Sequence, residues 1–277
     1  MTLLFKLLAS LPLSLLQSCG ALLGWLTYLL SPTYRQRMKD NLAIAGLSDP
    51  NILHEAIAQQ GRMVGETPHI WLRTNPERVH ELCVEVHGWE HVEALQAQGK
   101  GLIFLTPHLG CFEMTAQYIA TKMPITAMYR PPRKDWLKPI VAASRARPNM
   151  TMATADLKGV RTLAKALKRG EAVGIVCDQA PSSGEGVWAP FFGKPAYTIT
   201  LPSKLYELAG NGAIVPIYAE RLAHGQGYRL QVVPFTANEV NPATINQAME
   251  NLIRRCPGQY LWSYNRFKVP PGSSDPV

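Results

Sequence analysis

The stretch LIFLTPHLGCFEM, residues 102–114, carries an apolar run up to Thr106, then Pro107 and His108, a glycine at 110, and Glu113 where a helical pattern begins. A short apolar run closed by turn residues reads as a buried strand, and the pattern behind it reads as a helix. That unit recurs. Apolar runs at 102–106, 125–129, 173–177, 213–219 and 228–234 alternate with helical patterns at 111–122, 157–169, 200–210 and 243–255. Two more helices are expected upstream, at 49–72 and 88–98. Such alternation predicts an α/β fold, a mostly parallel central sheet with helices on both faces.

Ligands of such sheets bind at the carboxyl ends of the strands. His108, Arg130 and Asp178 each fall just past a strand, so one shared cleft is expected. His108 and Glu113 are five residues apart, about 140° around an ideal helix, and would not meet within a regular one. They meet if His108 lies in the loop with Pro107 and Gly110 while Glu113 lies in the first helical turn. A neutral imidazole can take a proton from an attacking hydroxyl, and a carboxylate on its far nitrogen fixes the tautomer. No Ser or Cys clearly belongs to the pair, so the substrate's own hydroxyl is the expected nucleophile. The adjacent helix N-terminus suits an oxyanion or a phosphate. By itself, HxxxxE is also open to a capped or surface pair.

Of 277 residues, 47% are apolar and 17% charged, a balance that points to membrane contact. The net charge of +8 favours anionic partners. Zinc-ligand spacing, an aromatic RNA-binding signature and a basic tail are all missing from the sequence, so nucleic acid is not an expected partner. Cysteines at 19, 83, 111, 177 and 256 are odd in number and form no CxxC, which suits reduced thiols facing the cytosol. His54, His69, His80, His87 and His91 have no ligand spacing, and no glycine-rich nucleotide loop occurs, so neither metal nor cofactor is expected.

From Leu3 to Leu30 the only charge is Lys6, and Arg35, Arg37 and Lys39 follow. Residues 11–30 would make a helix of about 30 Å, enough to span a bilayer. The basic cluster then keeps the body on the cytoplasmic side. Two other readings stand: a signal sequence with a faint lipoprotein-like LQSC at 16–19, and a buried helix pair broken at Pro12 or at Gly20 and Gly24. The expected division is a membrane-associated helix over 1–34 and one α/β domain over 35–277.

Within 157–169, Lys158, Arg161, Lys165 and Lys168 form one cationic stripe opposite Val160, Leu163, Ala164 and Leu167, with Asp156 placed to cap the start. The stripe suits an acidic protein, lipid phosphates, or water alone. YRPPRKDW at 129–136 is a rigid basic loop in which Arg130, Arg133 and Lys134 flank two prolines. The aromatic PFFGKPAYT, 190–198, reads as core or as a lipid-facing lining, and YLWSYNRFK, 260–268, as a segment docking on the body. The tail PPGSSDPV is expected to be flexible.

Several blocks in order resemble the bacterial lipid A late acyltransferases of the lysophospholipid acyltransferase superfamily. They are HLGCFE at 108–113, YRP at 129–131, SRARPN at 144–149, DLKG at 156–159, GEAVGIVCDQAPSSGEGVWAPFFGKPAYT at 170–198, AIVPIYAERL at 213–222 and PGQYLWSYNRFK at 257–268. The resemblance implies transfer of an acyl chain from acyl carrier protein to a hydroxyl of a glucosamine-based lipid precursor, at the cytoplasmic face of the inner membrane. It implies His108 as general base and Glu113 as its orienting carboxylate. Arg145 matches an arginine thought to meet substrate or oxyanion; Arg147 and Arg130 are weaker candidates, and Asp178 and Gln179 match a block of uncertain role. Cys111 stands where many relatives carry Asn and suits a filler.

Three alternatives remain: another acceptor (a lysophospholipid, an ornithine-type lipid or another glycolipid), a non-catalytic lipid-binding protein, and a lipid hydrolase. The presence of both His108 and Glu113 counts against a scaffold, and the chain has no GxSxG for a hydrolase.

Overall fold

The computed structural model describes residues 2–72, 81–132, 134–145 and 147–273. Arg133, His80 and the end of the tail, 274–277, lie outside them. The helices are α1 Thr2–Ser10, α2 Leu13–Leu30, α3 Pro32–Ile44, α4 Pro50–Leu72, α5 Trp89–Ala97, α6 Phe112–Lys122, α7 Lys138–Arg145, α8 Leu157–Lys168, α9 Leu201–Ala209 and α10 Pro242–Arg255. The strands are β1 Cys83–His87, β2 Gly101–Thr106, β3 Ile125–Tyr129, β4 Met150–Thr154, β5 Ala172–Val176, β6 Gly186–Phe191, β7 Lys194–Ile199, β8 Gly212–Arg221 and β9 Tyr228–Val232.

Seven strands form one sheet in the order β1-β9-β8-β2-β5-β3-β4. All neighbours pair parallel except β8 and β9. The expected mostly parallel α/β sheet is therefore the observed one. β2 is central, and all six of its residues are buried. Its alternation divides the core: Ile103 and Leu105 pack with Leu163, Leu205 and Met249 of α8, α9 and α10, while Leu102 and Phe104 pack with Val92 of α5 and Met114 and Ile119 of α6. A strand covered on both faces has to be apolar at every position, which is why 102–106 reads as an unbroken run.

The five expected strands and six expected helices are all present, within a residue or two. β1, β4 and the β6–β7 hairpin lie outside the predicted runs. The edge strands β1 and β4 are short and carry polar residues such as Glu85, His87 and Thr151, so their signal is weak. The hairpin holds two prolines, Pro190 and Pro195, opposite each other across the pair.

Side chains start several helices. Ser31 accepts from Tyr34 N at the start of α3, Asp156 from Gly159 N at the start of α8, and Asn241 and Thr244 form a capping box on α10. The N-terminal segment breaks between Ser10 and Leu13, at Pro12, and runs through Gly20 and Gly24 without a break. One helix among the described residues, Leu13–Leu30, is long and apolar enough to cross a membrane by length and composition. It packs on α4: Gly20 and Gly24 face Gly61 and Ile57 backbone to backbone, and Leu16 faces Gly65. The segment 260–268 docks as expected, with Tyr260, Trp262 and Arg266 buried. Phe191 and Phe192 are core residues.

Candidate active site

β2 and β5 are parallel neighbours, with Thr106 opposite Val176. Two residues beyond each partner come His108 and Asp178, so the register itself delivers both to one point at the carboxyl edge. Asp178 Oδ1 accepts from His108 Nδ1 at 2.7 Å, and Oδ2 accepts from the His108 backbone N–H at 3.1 Å. One carboxylate thus holds both the ring and the chain of the histidine. The remaining ring nitrogen, Nε2, receives the Gln179 side-chain amide at 3.3 Å. Asp178 is 2% exposed and the His108 side chain 18%, so what access the pair has to solvent comes through the histidine.

The loop around His108 is tied down by distant backbone. His108 O accepts from Leu261 N, Gly110 N donates to Gln259 O, and Cys111 N donates to Ala219 O. Gly110 has φ +58°, and a Cβ there would run into Ala219 O, so glycine alone fits the turn. Gly110 O accepts from Arg221, which is buried in β8. Arg221 pairs with both oxygens of Glu66 on α4 and donates to Gln59 at 2.8 Å. Gln17 of α2 and Tyr228 of β9 donate to the same Glu66. An ion pair this deep requires such satisfaction, because an unpaired charge there costs several kcal/mol.

The charges shape the histidine. Burial is the largest single influence on His108 and lowers its pKa; the Asp178 charge, its hydrogen bond and the Glu113 charge outweigh it, and the pKa lies above the usual 6.5. For Asp178, burial alone would raise the pKa, but His108 and Arg266 hold it below the ordinary carboxylate value. An imidazole whose Nδ1 proton is committed to a carboxylate keeps the acceptor lone pair on Nε2, where the Gln179 amide now donates and an incoming hydroxyl could take its place.

The expected pairing of His108 with Glu113 is not found; this corrects the sequence reading. Glu113 sits in the first turn of α6, past the Gly110 turn, and its Oε1 accepts from Arg145 Nη2 at 2.9 Å. Its charge still reaches His108, without a hydrogen bond between them. Arg145 also lies over the Tyr129 ring, 5.5 Å from its centroid. Glu113 and Arg145 both line a cavity between α6 and the sheet. Most of its wall is apolar, with Phe104, Ile125, Ala127, Met150 and Met152 from the strands and Phe112 and Ile119 from α6, while Thr106, Thr115 and Gln117 add polar groups. Phe112 packs on the His108 ring at 4.7 Å and connects the cavity to the histidine. Gly174 of β5 also lines the cavity, and a side chain there would project toward Ile125 and Ala127.

The other candidates sit elsewhere. Arg147 is buried against Gln117 and the Ile70 carbonyl, and burial lowers its pKa, so it braces α6 against the end of α4 and does not face the opening. Arg130 makes an exposed ion pair with Glu185 at 3.3 Å. Lys158, Arg161, Lys165 and Lys168 are all exposed on α8. Cys111 is buried, and burial pushes its thiol well above the ordinary pKa, as befits a filler. The cavity wall and the Glu66–Arg221 clamp escaped the sequence reading. An acid on the apolar face of the 49–72 helix was the available signal for the clamp.

A profile described as bacterial lipid A biosynthesis acyltransferase matches residues 1–269. The chain belongs to that family. A lipid A biosynthesis lauroyltransferase of Escherichia coli K12 is 30% identical over 71% of this chain and 65% of its own length, so that match spans less than two thirds of the relative. A palmitoleoyltransferase of lipid A biosynthesis from the same strain is 28% identical, over 78% of this chain and 72% of the relative. A lipid A biosynthesis acyltransferase of Haemophilus influenzae is 27% identical over 96% of this chain and 88% of its own. Membership makes acyl transfer in lipid A biosynthesis the activity class, and the family is the one the sequence blocks resemble.

Proposed function

We propose that the protein transfers a fatty acyl chain from a thioester on acyl carrier protein to a hydroxyl of a lipid A precursor, with His108 as general base. The observation that carries this is the His108–Asp178 pair, whose Nε2 meets only the Gln179 amide and whose ring packs on Phe112, a residue of a largely apolar cavity that Arg145 also lines. Asp178 takes the orienting role that the sequence suggested for Glu113. Nε2 accepts the proton of the acceptor hydroxyl as its oxygen bonds to the thioester carbonyl carbon. The resulting oxyanion meets Arg145 and the N–H groups that open α6. The carbon–sulfur bond then breaks, and the imidazolium returns its proton to the departing thiolate. The acyl chain lies along the cavity, most of whose wall is hydrocarbon, with Glu113 and Arg145 among its polar lining residues.

The reaction takes no metal or other cofactor. The exposed cations of α8 fit an acidic carrier protein, and the surrounding basic surface fits an anionic glycolipid or phospholipid acceptor at the inner membrane, the body on its cytoplasmic face. The test is mass spectrometry of lipids from a strain lacking the protein, complemented with wild type or His108→Ala. Loss of one secondary acyl chain from lipid A, restored by wild type and not by the variant, is expected. Unchanged lipid A with altered phospholipids would redirect the reading to another acceptor, and complementation by His108→Ala would remove the base.

A further inference from the structure

Length and composition alone would send α2 across a bilayer. Its packing argues otherwise. α2 and α4 run antiparallel and touch through two glycine pairs, Gly20 and Gly24 on one helix and Gly61 and Gly65 on the other. A Cβ on Gly20 would stand 2.5 Å from Gly61 O, and one on Gly65 would stand 2.5 Å from Leu16 O, so the backbones meet with no room for side chains. Gln17 reaches out of α2 to the buried Glu66, which Arg221 of the central sheet already holds. Trp25 lies against His54 of α4 with ring centroids 4.6 Å apart. α2 is therefore the outer layer of the α/β body over most of its length. Standing it across a bilayer would carry α4, Glu66 and Arg221 into hydrocarbon or tear those contacts apart, and both are costly.

The opposite face of α2 is leucine. Leu15, Leu22, Leu26 and Leu29 follow one another at helical spacing, and Leu23 and Leu30 flank them; Leu22 is 70% and Leu30 73% exposed. Both ends of this stripe carry cations. At its C-terminal end Arg35 donates to the carbonyls of Tyr28 and Leu29, and Lys39 is exposed one turn further on. At the other end, Phe5 of α1 meets Trp136, 6.3 Å between centroids, and Trp136 is exposed between Lys134 and Lys138. A leucine ridge with a tryptophan and lysines at its edge is the pattern of a helix lying in the lipid interface. Trp136 also lies just before α7, which supplies the cavity-lining Arg145.

We infer that the protein is monotopic: α2 stays docked on α4 and lies in the plane of one anionic leaflet, its leucine ridge immersed and the cavity mouth at the lipid surface. This deepens the lipid-acceptor reading, which gives the leaflet its relevance. A lipid acceptor would then reach His108 from the leaflet without leaving it.

The experiment uses the full chain and vesicles of phosphatidylethanolamine and phosphatidylglycerol. Cys19 and Cys256 are replaced by serine, and nitroxide is attached in turn at Leu15→Cys, Leu22→Cys and Leu29→Cys. Positions 15 and 29 are separated by about 21 Å of helix rise. Similar shallow depths at all three positions are expected. A label at 22 near the bilayer centre, with 15 and 29 shallow on opposite sides, would show a crossing helix and overturn the inference. In flotation, Leu22→Ser/Leu26→Ser/Leu29→Ser should lower vesicle partitioning at least a hundredfold while the melting temperature holds. Unchanged partitioning, or no vesicle binding by the wild type, would also overturn it and leave the ridge to a protein partner. Depth and flotation need no turnover, so their failure is separate from failure of the proposed reaction.

Discussion

Gly174 offers a quantitative test of the cavity. It lies in β5 on the face that carries Phe104, Ile125 and Ala127, and a Cβ built there meets only the end of Ile125 at 3.2 Å and Ala127 Cβ at 3.9 Å. Gly174 lines the cavity, so a side chain added there takes up part of its space. A leucine at this position puts about four carbons where acyl methylenes would lie. Each methylene denied burial costs about 0.8 kcal/mol, so a chain four carbons too long loses roughly 3 kcal/mol. That is a discrimination of about 200-fold in kcat/KM against the longer chain. The assay is a competition between two acyl-carrier thioesters differing by four carbons, with product ratios read by mass spectrometry for wild type and Gly174→Leu. The preferred length should fall in the variant, while the shorter donor keeps nearly its wild-type rate. Gly174→Ala, needing only a small yield from Ile125, should shift the ratio much less. An unchanged ratio in a Gly174→Leu protein that melts normally would refute the cavity as the acyl site.

Asp178→Asn should reduce kcat/KM by roughly 10²–10⁴-fold, and the acid limb of its pH profile should move to lower pH. With His108 as the proposed base, activity requires its neutral form and is lost as pH falls through its raised pKa; removing the Asp178 charge lowers that pKa, so a pH titration of kcat/KM reads the sign directly. Arg221→Met strands Glu66 in the core and should cost about 3–5 kcal/mol, visible as a lower denaturant midpoint in the solubilised protein. Gly61→Leu should lower the melting temperature by forcing α2 from α4, whereas leucine at the equally helical but exposed Val64 should not. Reversing Lys158, Arg161, Lys165 and Lys168 to glutamate should raise KM for the carrier-bound donor and leave a short pantetheine thioester unaffected, as steady-state kinetics at low salt would show.

The sequence by itself determined the strand–helix alternation, because burial of a strand or a helix face is written in periods of a few neighbouring residues. It also placed His108 and Asp178 at strand ends, predicted the Asp156 cap, and marked residues 11–30 as an apolar helix. Local pattern could not choose the carboxylate on the His108 ring. Glu113 was near in sequence, while Asp178, 70 residues away, became the partner because β5 lies beside β2 in a register that aligns Thr106 with Val176. The cavity wall comes from five strands and two helices that are far apart in sequence, so no single segment announces it. The same holds for α2: its composition marked an apolar helix, and only the glycine pairs it shares with α4 decided which side faces the protein and which stays exposed.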